Sequence, residues 1–163
     1  MAGALMKVIA IGDVHGQWPE LWRVLKASAA ATPTLEPSPA LMEGRYQVVC
    51  VGDLVHYKDE RAYANAVGEE PYDSSDPDHL RRAAKAQIRE LYRFKRFVDQ
   101  ACGNVNVILG NHDEAACDNR YQLSTRGGLQ HVEFDEARGG LAMPDDLKAW
   151  FAELPREVVF HGV

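Results

Sequence analysis

Three short apolar runs set the pattern of the chain. KVIAI at 7–11, YQVVCV at 46–51 and VNVIL at 105–109 lack the polar alternation of a strand with one wet face, and so predict strands buried on both sides. Between them the period changes. WPELWRVLKASAA places Trp18, Leu21, Trp22, Val24 and Leu25 near helical spacing, with Pro19 tolerated in the first turn. TPTLEPSPALMEG ends that pattern, because Pro33, Pro37 and Pro39 preclude a regular helix and make the segment a surface connection. The longest helical pattern starts at Asp76-Pro77, a capping residue before a proline in the first helical position, and runs to Cys102 before Gly103. Leu80, Ala84, Ile88, Leu91, Val98 and Ala101 trace its inner face. A last helix is predicted across PDDLKAWFAEL at 144–154, with Leu147, Trp150, Phe151 and Leu154 inward. The glycine pairs at 127–128 and 139–140 bracket LQHVEF as a short hairpin. Strands that alternate with helices predict a layered α/β fold.

Length and charge narrow the function. A chain of 163 residues suffices for one domain with its own core. A net charge of −6 argues against a sequence-independent hold on nucleic acid, which needs a basic face. The basic residues of the long helix are interrupted by Glu90 and Asp99, as on a solvated face. A small polar substrate or a protein partner fits better. No apolar run approaches the roughly 18 residues of a spanning helix, and MAGALMKVIAIGD runs into a strand without a signal-peptide cleavage pattern. The expectation is a soluble, cytoplasmic protein with no membrane partner. Cys50, Cys102 and Cys117 form no CxxC pair and read as reduced thiols.

Candidate chemistry sits where the apolar runs stop. KVIAI is followed by GDVHGQ, YQVVCV by GDLVHYKD, and VNVIL by GNHDEA. In each, a glycine opens the turn and a ligand-type side chain follows at once. Ligands of open α/β sheets bind beyond the carboxyl ends of the strands, so Asp13, His15, Asp53, Asn111 and His112 are expected to face one cleft. An Asp-x-His pair offers an oxygen and a nitrogen to one ion, and Asn111 adds a neutral oxygen. This mixed set suits Mn, Fe, Zn or Mg and lacks the thiolates of a structural zinc site. His131 reads as a strand or loop residue, and His79 as an exposed residue at a helix start.

GDVHG, VGD and GNHD, in this order and each at a strand end, resemble the calcineurin-like metallophosphoesterases. GDVHGQ with its following helix is most similar to the protein serine/threonine phosphatase and diadenosine-tetraphosphatase branch. The resemblance covers residues 7 to 115. It implies a layered sandwich of sheets flanked by helices, of which residues 1–163 would be the N-terminal portion, a single domain truncated at its C-terminus. It also implies two divalent ions: Asp13 and His15 on the first, Asp53 bridging both, and Asn111 on the second. His161, in VVFHGV, is a candidate for a later ligand histidine or else lies in the arm of a hairpin.

The implied chemistry is metal-dependent hydrolysis of a phosphomonoester, phosphoprotein or nucleotide polyphosphate. A phosphate ester resists attack because its oxygens are negative. Two cations clamp that charge, and the water they bridge becomes a hydroxide near neutral pH. Asp53 can bridge them because a carboxylate has two oxygens. His112, beside a ligand but not needed as one, is placed as the general acid for the leaving group. Asp113 either orients that imidazole or caps a helix starting at Glu114.

The chain also departs from the family pattern. Where the branch carries GDxxDRG, GDLVHYKD puts His56 and Tyr57 in place of the Asp and Arg. Lys58 or Arg61 could hold phosphate instead, and His56 could join the acid network. The long segment from Tyr57 to Leu80 is a solvated loop or a substrate-facing insertion. The alternative function is a catalytically incomplete domain of this fold, with a binding or regulatory role.

Overall fold

The three apolar runs form one parallel sheet. The computed structural model describes residues 6–118, 123–125 and 127–160. Strands β1 (Lys7–Ile11), β2 (Tyr46–Cys50) and β3 (Val105–Val107) lie in the order β1-β2-β3. Ile11 pairs with Cys50 and Cys50 with Val107, so the register brings the three carboxyl ends level. Val48, Val49, Cys50, Val105 and Val107 are buried as expected. β1 differs: Lys7 and Ala10 are exposed, and among the described residues the strand is paired on one side only. Its apolar run reflects one covered face.

Helices flank the sheet: α1 (Trp18–Ala27), α2 (Pro39–Met42), α3 (Glu60–Val67), α4 (Pro77–Gln100), α5 (Asn111–Asp118) and α6 (Asp145–Glu153). In α1 the buried residues are Trp18, Leu21, Trp22 and Leu25, one helical stripe. The Trp22 ring meets Phe97 at 5.5 Å and Phe94 at 6.1 Å on α4, both edge-on. Leu147, Trp150 and Phe151 of α6 join the same core. Each fully buried Leu or Phe there contributes about 1.5–3 kcal/mol. As predicted, the Asp76 side chain caps α4, accepting the Asp78 N–H at 2.8 Å.

Four expectations are corrected by local packing. The proline-rich connection contains the short helix α2, with Pro39 at its first position and the Ser38 hydroxyl accepting the Leu41 N–H. The segment after the second strand is more than a solvated loop: it carries α3, and Tyr57, Tyr63, Val67, Tyr72 and Leu80 form a second small core with Val132, while residues 58–61 and 68–71 stay exposed. His79 is buried there, its Nδ1 accepting the Asp73 N–H at 2.9 Å and its Nε2 3.3 Å from Glu69. LQHVEF forms no strand. An isolated antiparallel bridge joins Ser124 to Gln130, and Val132, Glu133 and Phe134 turn inward. No described helix is long and apolar enough to cross a membrane.

Candidate active site

Backbone contacts pull the three strand-end turns together. The His15 N–H donates to the Asp53 carbonyl at 2.7 Å and the Gly16 N–H to that of Leu54 at 3.0 Å. The third turn presses on the second: a Cβ at Gly52 would overlap the Ile108 carbonyl, and one at Gly110 would overlap the Asp53 carboxylate. Glycine at these two positions is what lets the turns touch. Gly12 has nothing within 4 Å of such a Cβ, so contact does not demand glycine there.

Asp113 fastens the same junction. Its Oδ1 accepts the Leu54 N–H at 2.7 Å and the Val55 N–H at 3.4 Å, while Oδ2 accepts the Gly110 N–H at 3.1 Å. The carboxylate is thus spent on backbone amides of two turns rather than on the His112 ring. The helix begins at Asn111 rather than Glu114, which puts Asp113 in its first turn, where a negative charge suits the helix dipole. Burial pushes the Asp113 carboxyl up to about 7, against the lowering effect of those amide bonds.

His15, Asp53 and His112 offer ligand atoms that all lie within 4.8 Å of one another. His15 Nδ1–H donates to the His56 carbonyl at 3.2 Å, which leaves Nε2 with a free lone pair, 4.0 Å from Asp53 Oδ2. The other Asp53 oxygen accepts the His112 N–H at 2.8 Å. One carboxylate therefore holds the third turn with one oxygen and faces the first-turn imidazole with the other. This donor set, an imidazole of fixed tautomer beside a carboxylate, fits a divalent ion. Asp13 is exposed, yet its charge reaches the His112 imidazole. Asn111 is exposed at the first position of α5. The expectation for His161 falls outside the described residues. His15, Asp53 and His56 all have left-handed backbones, with φ of 43°, 46° and 64°. Such values are uncommon for residues with a Cβ and concentrate at functional sites.

A second wall of the cleft was scarcely legible beforehand. His56 Nδ1 lies 3.0 Å from His112 Nδ1, and the His56 ring stacks on His131 at 4.5 Å. His131 Nδ1 is 2.6 Å from the Tyr63 hydroxyl, which donates to Glu133 Oε1 at 2.7 Å. Gln87 joins both ends: its amide donates to Glu133 at 2.8 Å and its oxygen accepts the His56 N–H at 2.7 Å. Burial is the main force lowering all three imidazole pKa values. His131 falls to about 3, His56 well below its usual value, and His112 is partly restored by the negative charge of Asp53. Tyr63 is pushed up by burial and by Glu133. His131 lies in a loop, as expected, and that loop brings it into the cleft beside His56 and His112. The available sequence signal was Glu133 between Val132 and Phe134, since a carboxylate in a buried run needs partners.

The cleft encloses about 480 Å³ and is lined by His15, His112 and His131 with Tyr57, Lys58 and Thr125. Arg61 lies instead in a neighbouring groove of about 590 Å³ beside Trp18, Trp22 and Arg89, which holds none of these histidines.

The family model described as calcineurin-like phosphoesterase matches residues 6–162. No curated protein matches the chain. A solved structure, described as a cold-active protein-tyrosine phosphatase of the psychrophile Shewanella sp., aligns with 18% identity and a TM-score of 0.41. The alignment covers 93% of this chain and 33% of that one, so the chain spans about a third of that protein's length.

Proposed function

The chain belongs to the calcineurin-like phosphoesterase family, which implies metal-dependent hydrolysis of phosphoesters, and from that premise we propose the site and roles that follow. Asp13, His15, Asp53 and Asn111 hold two divalent ions, and His112 is the proton donor to the leaving group. The substrate is a phosphorylated small molecule, nucleotide or phosphoprotein. The observation that carries this reading is the convergence of His15, Asp53 and His112, with Asp53 serving two turns at once. Bound divalent ions supply positive charge for the phosphate oxygens and a nucleophile available near neutral pH.

The chain's own residues do the rest. Asp53 Oδ1 fixes the backbone at His112, and the Nδ1 contact with His56 fixes the ring. The protonated His112 ring donates Nδ1–H to His56 Nδ1 and gives its Nε2 proton to the departing oxygen, returning to neutral imidazole. Lys58, in the same cleft, supplies the cation that the missing Arg would have given to phosphate. Asp113 is a positioning residue, because it keeps Gly110 and Leu54 in register.

The test is hydrolysis of aryl phosphates graded by leaving-group acidity, with Mn and with chelator. Activity should need the metal, and His112→Ala should slow poor leaving groups by roughly 100-fold or more while sparing good ones. Equal losses across the series would remove His112 from the acid role, and chelator-resistant turnover would overturn the metal mechanism.

A further inference from the structure

We propose that His56, His112 and His131 form a separate zinc-type site, which shares His112 with the hydrolytic centre and restrains it when filled. Their ligand atoms all lie within 4.8 Å of one another, and His56 Nδ1 and His112 Nδ1 are already 3.0 Å apart. Zn–N bonds of about 2.0–2.1 Å in a tetrahedral site put ligand nitrogens about 3.3 Å apart. One pair is therefore near its bound spacing, and the third ring has a short distance to close.

The surroundings of His131 are those of a ligand held by an outer partner. Tyr63 has one hydroxyl proton, and it goes to Glu133. The 2.6 Å contact with His131 must then be Nδ1–H donating to the Tyr63 oxygen, which leaves Nε2 with its lone pair. A carboxylate acting through a hydrogen-bonded group on one ring nitrogen is the usual means of fixing a metal-binding histidine. Independently, Glu133 is 0% exposed and its Oε2 has no hydrogen-bond partner among the described residues. A buried carboxylate in that state calls for positive charge nearby, and an ion on His131 supplies it.

The donor type selects the ion. Three imidazoles with no oxygen ligand prefer Zn(II), or Cu(II) and Ni(II), over Mg(II) and Mn(II). The group containing Asp53 includes a carboxylate and accepts the harder ions. His112 belongs to both groups, and an ion on its Nδ1 takes the place of the proton there, so the ring cannot become imidazolium and its Nε2–H is a far weaker acid. The restraint, but not the binding, rests on the hydrolytic reading above.

Co(II), a visible-light stand-in for Zn(II), tests binding without turnover. Titrated into the Asp53→Asn chain, it should give the intense absorption of a low-coordinate nitrogen site. His131→Gln should remove that absorption, and Tyr63→Phe should weaken binding by roughly 10-fold or more while keeping all three ligands. Tyr63→Phe also serves if His131→Gln fails to fold. Only weak six-coordinate absorption in the Asp53→Asn chain, or unchanged affinity in Tyr63→Phe, would overturn the site. In Mn-driven hydrolysis, Zn(II) should inhibit the native chain at roughly 10-fold lower concentration than Tyr63→Phe; equal inhibition would refute the restraint. A chain without Mn-driven turnover would refute the hydrolytic reading and the restraint with it, while Co(II) absorption still decides the site.

Discussion

The two walls of the cleft hold their polar groups by different means. On the carboxylate wall, Asp53 and Asp113 bond to backbone amides of neighbouring turns, so the geometry follows from strand register and two glycines. On the histidine wall, His56, His131, Tyr63, Gln87 and Glu133 bond to one another across long stretches of chain, so each is held by side chains that must themselves be held. Removing a group from the first wall acts through one turn. A change in the second propagates along a connected buried network, where effects are not additive.

This contrast can be broken most severely at Asp53. Asp53→Asn keeps an oxygen for the His112 N–H but loses the charge. Hydrolysis should fall by more than the roughly 100-fold that loss of an outer partner costs, with folding stability preserved. Steady-state rates alongside urea denaturation check this, and a variant that unfolds would make the carboxylate wall structural instead. Asp113→Ala should do the reverse. With its amide donors left without an acceptor, stability should drop by about 2–4 kcal/mol, while Asp113→Asn, which retains one oxygen acceptor, loses less. Chemical denaturation of both variants measures the difference.

The effect on the histidine wall is spread over pH, and is small near neutrality. His131 stays neutral in the folded chain down to about pH 3, whereas the unfolded chain takes up that proton near pH 6.5. Between those values the unfolded state binds more protons, so stability falls as pH falls, by up to about 1.4 kcal/mol per pH unit for this group. Chelator-treated His131→Gln should show a shallower loss of stability from pH 6.5 downward. An identical slope would mean that His131 is not held neutral.

The same contrast explains what the sequence made legible. Apolar runs ending in Gly-Asp or Gly-Asn are local signals, and the parallel register carried Asp13, His15, Asp53, Asn111 and His112 to one end of the sheet. Helices α1, α4 and α6 were readable from their apolar stripes, and α4 from its Asp-Pro start. His131 is not readable from the sequence, because its partners Tyr63 and Glu133 come from two stretches with no clear strand or helix pattern of their own. Asp113 was ambiguous for a related reason. Whether a carboxylate turns to an imidazole or to amides depends on how closely the second turn approaches, which the Gly52 and Gly110 contacts determine.

The left-handed backbones at His15, Asp53 and His56 place chemistry and durability in opposition. Each such conformation costs of the order of 1 kcal/mol in a residue with a Cβ, and glycine or asparagine would bear it more easily. Ala29, Leu35 and Cys102 share that conformation away from the cleft, so heat resistance alone would press on six described positions, three of which the cleft uses. At those three, histidine and aspartate concede stability to function in the main chain rather than in any side-chain contact.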